Sequence, residues 1–285
     1  MRHAVLGAGG IGGLLAATLA RSGEDVVLLL RPQALSSFDG RLNVESVVLG
    51  DFAVEVAAAS ALNRPPDTLW LATKTTQLEA AWSLAPPEQV GDSPVVPLLN
   101  GVDHLARLRT RYANVVAAAI RVESERAQPW LIRQSSPFLR VEIAGVERLR
   151  HVLRAAGIDC RSHNDELTLL WDKLAFLAPL ALATTAADAP IGQVRDDHLF
   201  TGCRDEAIAA ANAEGAKVDP VAIRALHEQA PPQMQSSMQK DVKAGRQPEL
   251  DAIAGPIIRA GERHGFPTPN TAALRATIHA RTLSS

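Results

Sequence analysis

Gly7, Ala8, Gly9, Gly10, Ile11 and Gly12 form a G-x-G-x-x-G run near the start of the chain. A glycine run of this kind can bring a backbone close to a pyrophosphate. Gly7 permits a tight turn, Gly9 leaves no Cβ in the way of the phosphates, and Gly12 lets a helix pack closely on a strand. The pattern alone is weak, so its setting matters. The short apolar stretch His3-Ala4-Val5-Leu6 precedes it, a helical pattern runs from Ile11 to Ser22, and Asp25-Val26-Val27-Leu28-Leu29-Leu30 follows as a second strand. A helix starting at these glycines offers N–H groups and a positive dipole end to an anion. Arg31, 19 residues after Gly12, stands at the end of that second strand. An acid there would bind a ribose 2′-hydroxyl, whereas a cation suits a 2′-phosphate. The expected cofactor is therefore NADP(H) rather than NAD(H).

The elements needed to hold this loop are legible nearby. Asp25–Leu30 and Thr68–Ala72 are apolar runs of the kind found in strands buried on both faces of a parallel sheet, and Val95–Leu99 is a third, weakened by Pro97. Val115–Ile120 is another strand candidate. Helical stretches lie near Gln77–Leu84 and His104–Arg111. This alternation predicts an α/β N-terminal domain with a Rossmann-type doubly wound sheet. Trp130–Arg133 and Leu139–Ile143 read as an antiparallel pair, and Glu147–Ala156 as a helix closed by Gly157. From about Asp165 helical periodicity dominates, with Asp219-Pro220 and Thr268-Pro269 as helix starts. We therefore expect an NADP-binding domain over 1–165 and an all-α C-terminal substrate and catalytic domain over 166–285.

Composition narrows the function. Apolar residues make up 47% of 285 residues and the net charge is −2, with Lys and Arg scattered. That is a globular composition without a nucleic-acid footprint or a polybasic membrane patch. Cys160 and Cys203 are too few for a disulfide framework and lack partners at metal-ligand spacing, and the eight histidines show no metal or triad spacing, so no metal site is expected. The glycines between Gly7 and Gly13 argue against an export helix, and the apolar run Leu174–Ala187 is short for a membrane span, so it reads as a buried helix. The expectation is a cytoplasmic protein. The Ala- and Leu-rich helical domain permits a homodimer.

Six separated segments resemble the ketopantoate reductases (2-dehydropantoate 2-reductases). They are Leu6–Gly12, Arg31, Thr73-Lys74-Thr75-Thr76-Gln77, Asn100-Gly101, Leu170-Trp171-Asp172-Lys173-Leu174, and Ser236-Ser237-Met238 followed by Glu249-Leu250-Asp251 and Gly255. They stand in the family's order and span nearly the whole chain. The resemblance implies NADPH-dependent reduction of a 2-keto acid, with 2-dehydropantoate as the leading candidate, in pantothenate and coenzyme A synthesis. It implies Lys74 as a second cation near the 2′-phosphate, Asn100 lining the nicotinamide and substrate end, Lys173 as general acid, Ser237 on the substrate carboxylate, and Glu249 contacting cofactor or substrate and orienting Lys173. By residue type alone Lys173 would be an ordinary helix-surface lysine, though it begins the most apolar helix in the chain. The chemistry suits it: hydride transfer to a ketone carbon develops negative charge on the oxygen, and a desolvated lysine can both stabilise that charge and donate the proton.

One departure touches the substrate. The family has asparagines four and eight residues after the lysine, where this chain has Leu177 and Ala181. Positions i, i+4 and i+8 share one helix face, so two amides are lost from the face of Lys173. Pro179 lies between them, and Thr184 is a candidate to supply a hydroxyl instead. Two further readings stay open: a reductase of another, more apolar 2-keto acid, and a non-catalytic NADP(H)-sensing protein.

Overall fold

Strand β1 (Arg2–Leu6) is buried along nearly its whole length and runs into Gly7, whose φ of +104° only a residue without a Cβ adopts readily. Helix α1 (Gly10–Arg21) follows and closes on Ser22-Gly23-Glu24, where the Gly23 amide reaches the Ala20 carbonyl at 3.0 Å and the Glu24 amide reaches Leu19 at 3.2 Å. These two bonds, with Gly23 at φ +91°, make a Schellman closure that turns the chain into β2 (Asp25–Leu29). The structure is a computed structural model and describes residues 1–283.

The chain divides into two compact units: Met1–Leu99 with His104–Glu166, and Asn100–Asp103 with the chain from Leu167 on. In the first, the short helix α2 (Pro32–Leu35) leads to β3 (Arg41–Ser46), β4 (Phe52–Glu55), β5 (Ala57–Ala59) and β6 (Thr68–Leu71). Then come α3 (Leu78–Ala81), α4 (Pro87–Val90), β7 (Val95–Pro97), α5 (His104–Arg109) and β8 (Ala118–Arg121). The unit ends with β9 (Ser124–Gln128), β10 (Leu131–Gln134), β11 (Arg140–Ala144), α6 (Glu147–Ala155) and β12 (Asp159–His163). A parallel sheet runs β5-β2-β1-β6-β7, as a Rossmann-type domain requires. On the side away from β6, β7 makes a parallel bridge at Val95 with Val115, and Pro97, two residues on, has no N–H to extend it.

Two smaller sheets correct the expected pairing. Leu131–Gln134 and Arg140–Ala144 do not pair with each other. β10 pairs antiparallel with β9 and parallel with β3, while β11 pairs antiparallel with β8 and parallel with β12. The missing partner was the polar stretch Ser124–Gln128, whose exposed face carries no apolar alternation. Trp130, at φ 59°, makes the turn into β10, and its indole reaches the Ser37 carbonyl at 2.8 Å.

The second unit is helical, with α7 (Glu166–Ala187), α8 (Ile191–Val194), α9 (His198–Ala213), α10 (Pro220–Gln229), α11 (Ser237–Lys243), α12 (Leu250–His264) and α13 (Pro269–Leu283). Asp219 caps α10 by accepting from the Val221 amide at 2.8 Å, with Pro220 in the first turn. Helix α9 packs against α12 and α13, and Trp171, Leu174, Phe200, Ile257 and Ile278 lie in the core they share with α7. At 22 residues α7 is long and apolar enough to cross a membrane, yet 72% of its most apolar window is buried inside the protein. Burial, more than length, marks it as a core helix.

His227 of α10 is 1% exposed in this core. Its Nε2 donates to the Phe176 carbonyl at 2.8 Å, and its ring stacks on Phe176 at 4.9 Å and meets the edge of Phe200 at 5.0 Å. Burial pushes its pKa down to about 4, against the raising effect of the Phe176 carbonyl. Between that value and the ordinary 6.5 the unfolded chain takes up a proton that the folded chain refuses. This stability is therefore fully present above about pH 6.5 and is lost as pH falls towards 4, by roughly 2 kcal/mol at pH 5. Urea unfolding of wild type and His227→Phe at pH 7.5 and pH 5 should show that part of the pH slope only in the wild type; equal slopes would place the acid sensitivity elsewhere.

Candidate active site

The glycine run forms the link between β1 and α1. A Cβ on Gly7 would lie 2.9 Å from the Ala72 carbonyl oxygen, and one on Gly12 would lie 1.8 Å from the Gly7 oxygen. These two positions must be glycine for the turn to close and for α1 to seat on β1. A Cβ on Gly9 would meet nothing within 4 Å, so the space beside it is open. Gly9 caps α1 with no side chain, and the first turn of α1 holds no acidic residue. The opening N–H groups of any helix lack intrahelical partners, so an uncapped, acid-free helix start beside an open backbone fits a pyrophosphate. Gly10 has a different reason. Its Cβ would fall 2.2 Å from the Ser124 carbonyl, because α1 packs against β9, and Ser124 Oγ donates to the Gly10 carbonyl at 2.9 Å.

The two cations stand on the loops that flank this turn. Arg31 is exposed, two residues past β2, as the N-cap of α2. Lys74 is half-buried, three residues past β6, at the start of the Thr75–Gln77 turn. Strands β2, β1 and β6 are adjacent and parallel, so Arg31, Gly7–Gly12 and Lys74 all follow the carboxyl ends of neighbouring strands. That edge is where open parallel sheets bind their ligands.

The remaining candidate residues belong to the helical unit. Asn100 belongs to it with Gly101, Val102 and Asp103, although all four lie well before Leu167 in the chain. Asn100 Nδ2 donates to Glu249 Oε2 at 3.2 Å. Glu249 opens α12 but does not cap it with its side chain, which leaves the carboxylate turned to Asn100. Two features hold this segment: Gly101, named in the sequence without this packing role, and Arg259, which the sequence reading missed. Gly101, at φ +84°, brings its Cα so close to α12 that a Cβ would lie 2.3 Å from the Ala252 carbonyl. Arg259 pairs with Asp103 and, at 3.0 Å, with Asp251. The Asn-Gly dipeptide hints at a special turn; nothing local signals Arg259.

Lys173 lies in α7 and is 8% exposed, so the surface reading of this lysine is set aside. A lysine so deep in an apolar helix is uncommon. Ser237 is exposed at the first position of α11, whose cap is the buried Ser236, accepting from the Gln239 amide at 3.1 Å. Thr184 does not have the role expected of it. It is fully buried, donates to the Leu180 carbonyl at 2.6 Å and shares a hydrogen bond with Ser236 at 3.0 Å. Its hydroxyl braces α7 against α11.

Both thiols are buried, and burial pushes Cys160 up to about 11 and Cys203 up to about 12. Neither has the thiolate character of a nucleophile at neutral pH.

Comparison with known proteins gives a consistent result. The family model described as ketopantoate reductase PanE/ApbA matches residues 3–146, and the model of that family's C-terminal domain matches residues 166–282. A 2-dehydropantoate 2-reductase of Caulobacter vibrioides is 28% identical over 295 aligned positions, covering 98% of this chain and 99% of the relative. Among solved structures, a PanE/ApbA family ketopantoate reductase from Ralstonia eutropha JMP134 superposes with a TM-score of 0.89 at 26% identity, covering 100% of this chain and 99% of the other. A D-mandelate dehydrogenase, solved with NADH and anilino(oxo)acetate, superposes with a TM-score of 0.90 at 21% identity, covering 100% and 99%.

Proposed function

The chain belongs to the ketopantoate reductase family, and from that premise we propose that it reduces 2-dehydropantoate to pantoate with Lys173 as general acid. Members are oxidoreductases, and NADP(H) is the family's cofactor. The observation that carries the reading is the burial of Lys173, 8% exposed, in the unit that also holds the Asn100–Glu249 pair. A buried ammonium has little to recommend it structurally and much to offer a developing alkoxide.

Bound at the glycine loop, NADPH supplies the hydride that goes to the ketone carbon. Lys173 does the complementary work: its Nζ stabilises the charge that grows on the ketone oxygen and passes a proton to it, so that ketone, hydride and proton sum to the alcohol. The neutral amine is then reprotonated from water. Glu249 and Asn100 hold one another in place and orient the ammonium. Ser237, at the positive end of α11, takes the substrate carboxylate. Gly9 and the opening N–H groups of α1 hold the pyrophosphate, while Arg31 and Lys74 take the 2′-phosphate. This reading places the protein in the cytoplasm, in pantothenate and coenzyme A synthesis.

The cofactor half is tested by Arg31→Glu. A charge-assisted contact is worth about 1.5–3 kcal/mol, so kcat/KM for NADPH should fall roughly 10- to 100-fold. The value for NADH, which lacks the phosphate, should hold or rise. Equal losses with both cofactors would take Arg31 away from the 2′-phosphate. The reaction half is tested by following NADPH oxidation with 2-dehydropantoate; tight NADPH binding without turnover would remove this substrate.

A further inference from the structure

We infer that α7 presents the substrate's side chain with an apolar strip in which Leu177 sets the preference, so that a branched, fully apolar 2-keto acid is used at least as well as one carrying a terminal hydroxyl. The inference rests on the reductase reading above and specifies its substrate class.

On a helix, side chains three and four positions apart are neighbours about 5–6 Å apart. A substrate whose ketone oxygen sits at the Lys173 ammonium therefore lies against residues at those spacings, whichever way it extends. Towards the start of α7 they are Leu169 and Leu170, 1% and 3% exposed. Towards its end they are Phe176 and Leu177, both partly exposed, followed by Leu180 and Ala181, both buried. All six are apolar. Phe176 and Leu177 are the ones with surface left to touch a bound molecule.

Phe176 is held in place, its carbonyl taking the His227 Nε2–H at 2.8 Å and its ring stacked on the imidazole at 4.9 Å. Leu177 has no such fastening and remains the residue whose identity can change what binds. The next polar side chain on this face is Thr184, and it is committed to Leu180 and Ser236. Ser236 in turn spends its oxygen on the Gln239 amide. A substrate hydroxyl laid along α7 from Lys173 towards Ala181 gives up water and meets no side chain on that stretch of the face that can replace it. A site built to hydrogen-bond a hydroxyl rejects the analogue lacking it by about 10⁴–10⁵-fold, whereas an apolar site cannot discriminate on that scale.

The test is a matched pair of substrates differing only in that hydroxyl: 2-dehydropantoate and 3,3-dimethyl-2-oxobutanoate, assayed with NADPH on the whole protein. The expected result is a kcat/KM for the deoxy acid equal to or above that for 2-dehydropantoate. Calorimetry with NADP⁺ and the two reduced products, pantoate and 2-hydroxy-3,3-dimethylbutanoate, should give the same order of Kd without relying on turnover. Leu177→Asn should then move both ratios about 10-fold or more towards the hydroxylated ligand. A wild-type preference for 2-dehydropantoate of more than about 2-fold overturns the inference while leaving the reductase reading intact. No turnover of either acid overturns the reductase reading itself.

Discussion

Gly12→Ala is expected to lose both stability and cofactor, whereas Gly9→Ala loses the cofactor alone. A methyl on Gly12 would sit 1.8 Å from the Gly7 carbonyl oxygen, well inside any tolerable contact, and that oxygen belongs to backbone. The turn must open or α1 must lift off β1. Overpacking of this kind costs about 1–3 kcal/mol or more. It also moves the helix N–H groups away from the phosphates. Losing two charge-assisted hydrogen bonds at about 1.5 kcal/mol each raises the NADPH Kd roughly 100-fold. Gly9 separates the two effects. Its φ of −78° suits alanine, and a Cβ there meets nothing within 4 Å, so the melting temperature should stay within about a degree or two of wild type. The same Cβ occupies the space a pyrophosphate needs, and NADPH affinity should fall comparably. Thermal unfolding and fluorescence titration with NADPH decide this. Normal NADPH binding by Gly9→Ala would move the phosphate site away from α1.

Lys173→Met should lower kcat by about 10²–10⁴-fold, the usual worth of a positioned general acid, or roughly 3–5 kcal/mol of barrier. Methionine keeps most of the buried stem and removes the ammonium. Lys173 is 8% exposed, so thermal unfolding of the variant, run beside the assay, separates an effect on folding from the effect on turnover. NADPH affinity should be retained, since the glycine loop, Arg31 and Lys74 all belong to the other unit. Lys173→Arg is a useful companion: arginine keeps a cation but does not give up a proton at neutral pH, so it should support keto-acid binding more than turnover. A Lys173→Met enzyme with near-normal kcat would leave the proton to another group.

The sequence shows most clearly what depends on neighbours along the chain. The strand–glycine–helix start was legible because Gly7, Gly9 and Gly12 act within one turn. Asp219-Pro220 announced α10 for the same reason. Ser124–Gln128 was not legible as a strand. Its side chains are polar because its outer face is exposed, and what defines it is pairing with β10 and packing under Gly10. The Asn100–Glu249 bond joins residues 149 apart, and no periodicity announces such a contact. Thr184 shows the limit of face arguments. Spacing put it near the face of Lys173, but whether its hydroxyl was available depended on Ser236, 52 positions away. The length of α7 likewise misleads until its burial is known.

The central claim, that hydride passes from NADPH to the keto carbon of a 2-keto acid while Lys173 supplies the proton, is tested most directly by isotope transfer. Wild type and Lys173→Met should be incubated with stereospecifically 4-deuterated NADPH, both labels in turn, and with 2-dehydropantoate or its deoxy analogue, and the products read by mass spectrometry. The account predicts a 2-hydroxy acid one mass unit heavier with one of the two labels, bearing the deuterium on C2, formed rapidly by wild type and at least about 100-fold more slowly by the variant. A 2-hydroxy acid without label from either cofactor, or none at all from an enzyme that binds NADPH tightly, would contradict it.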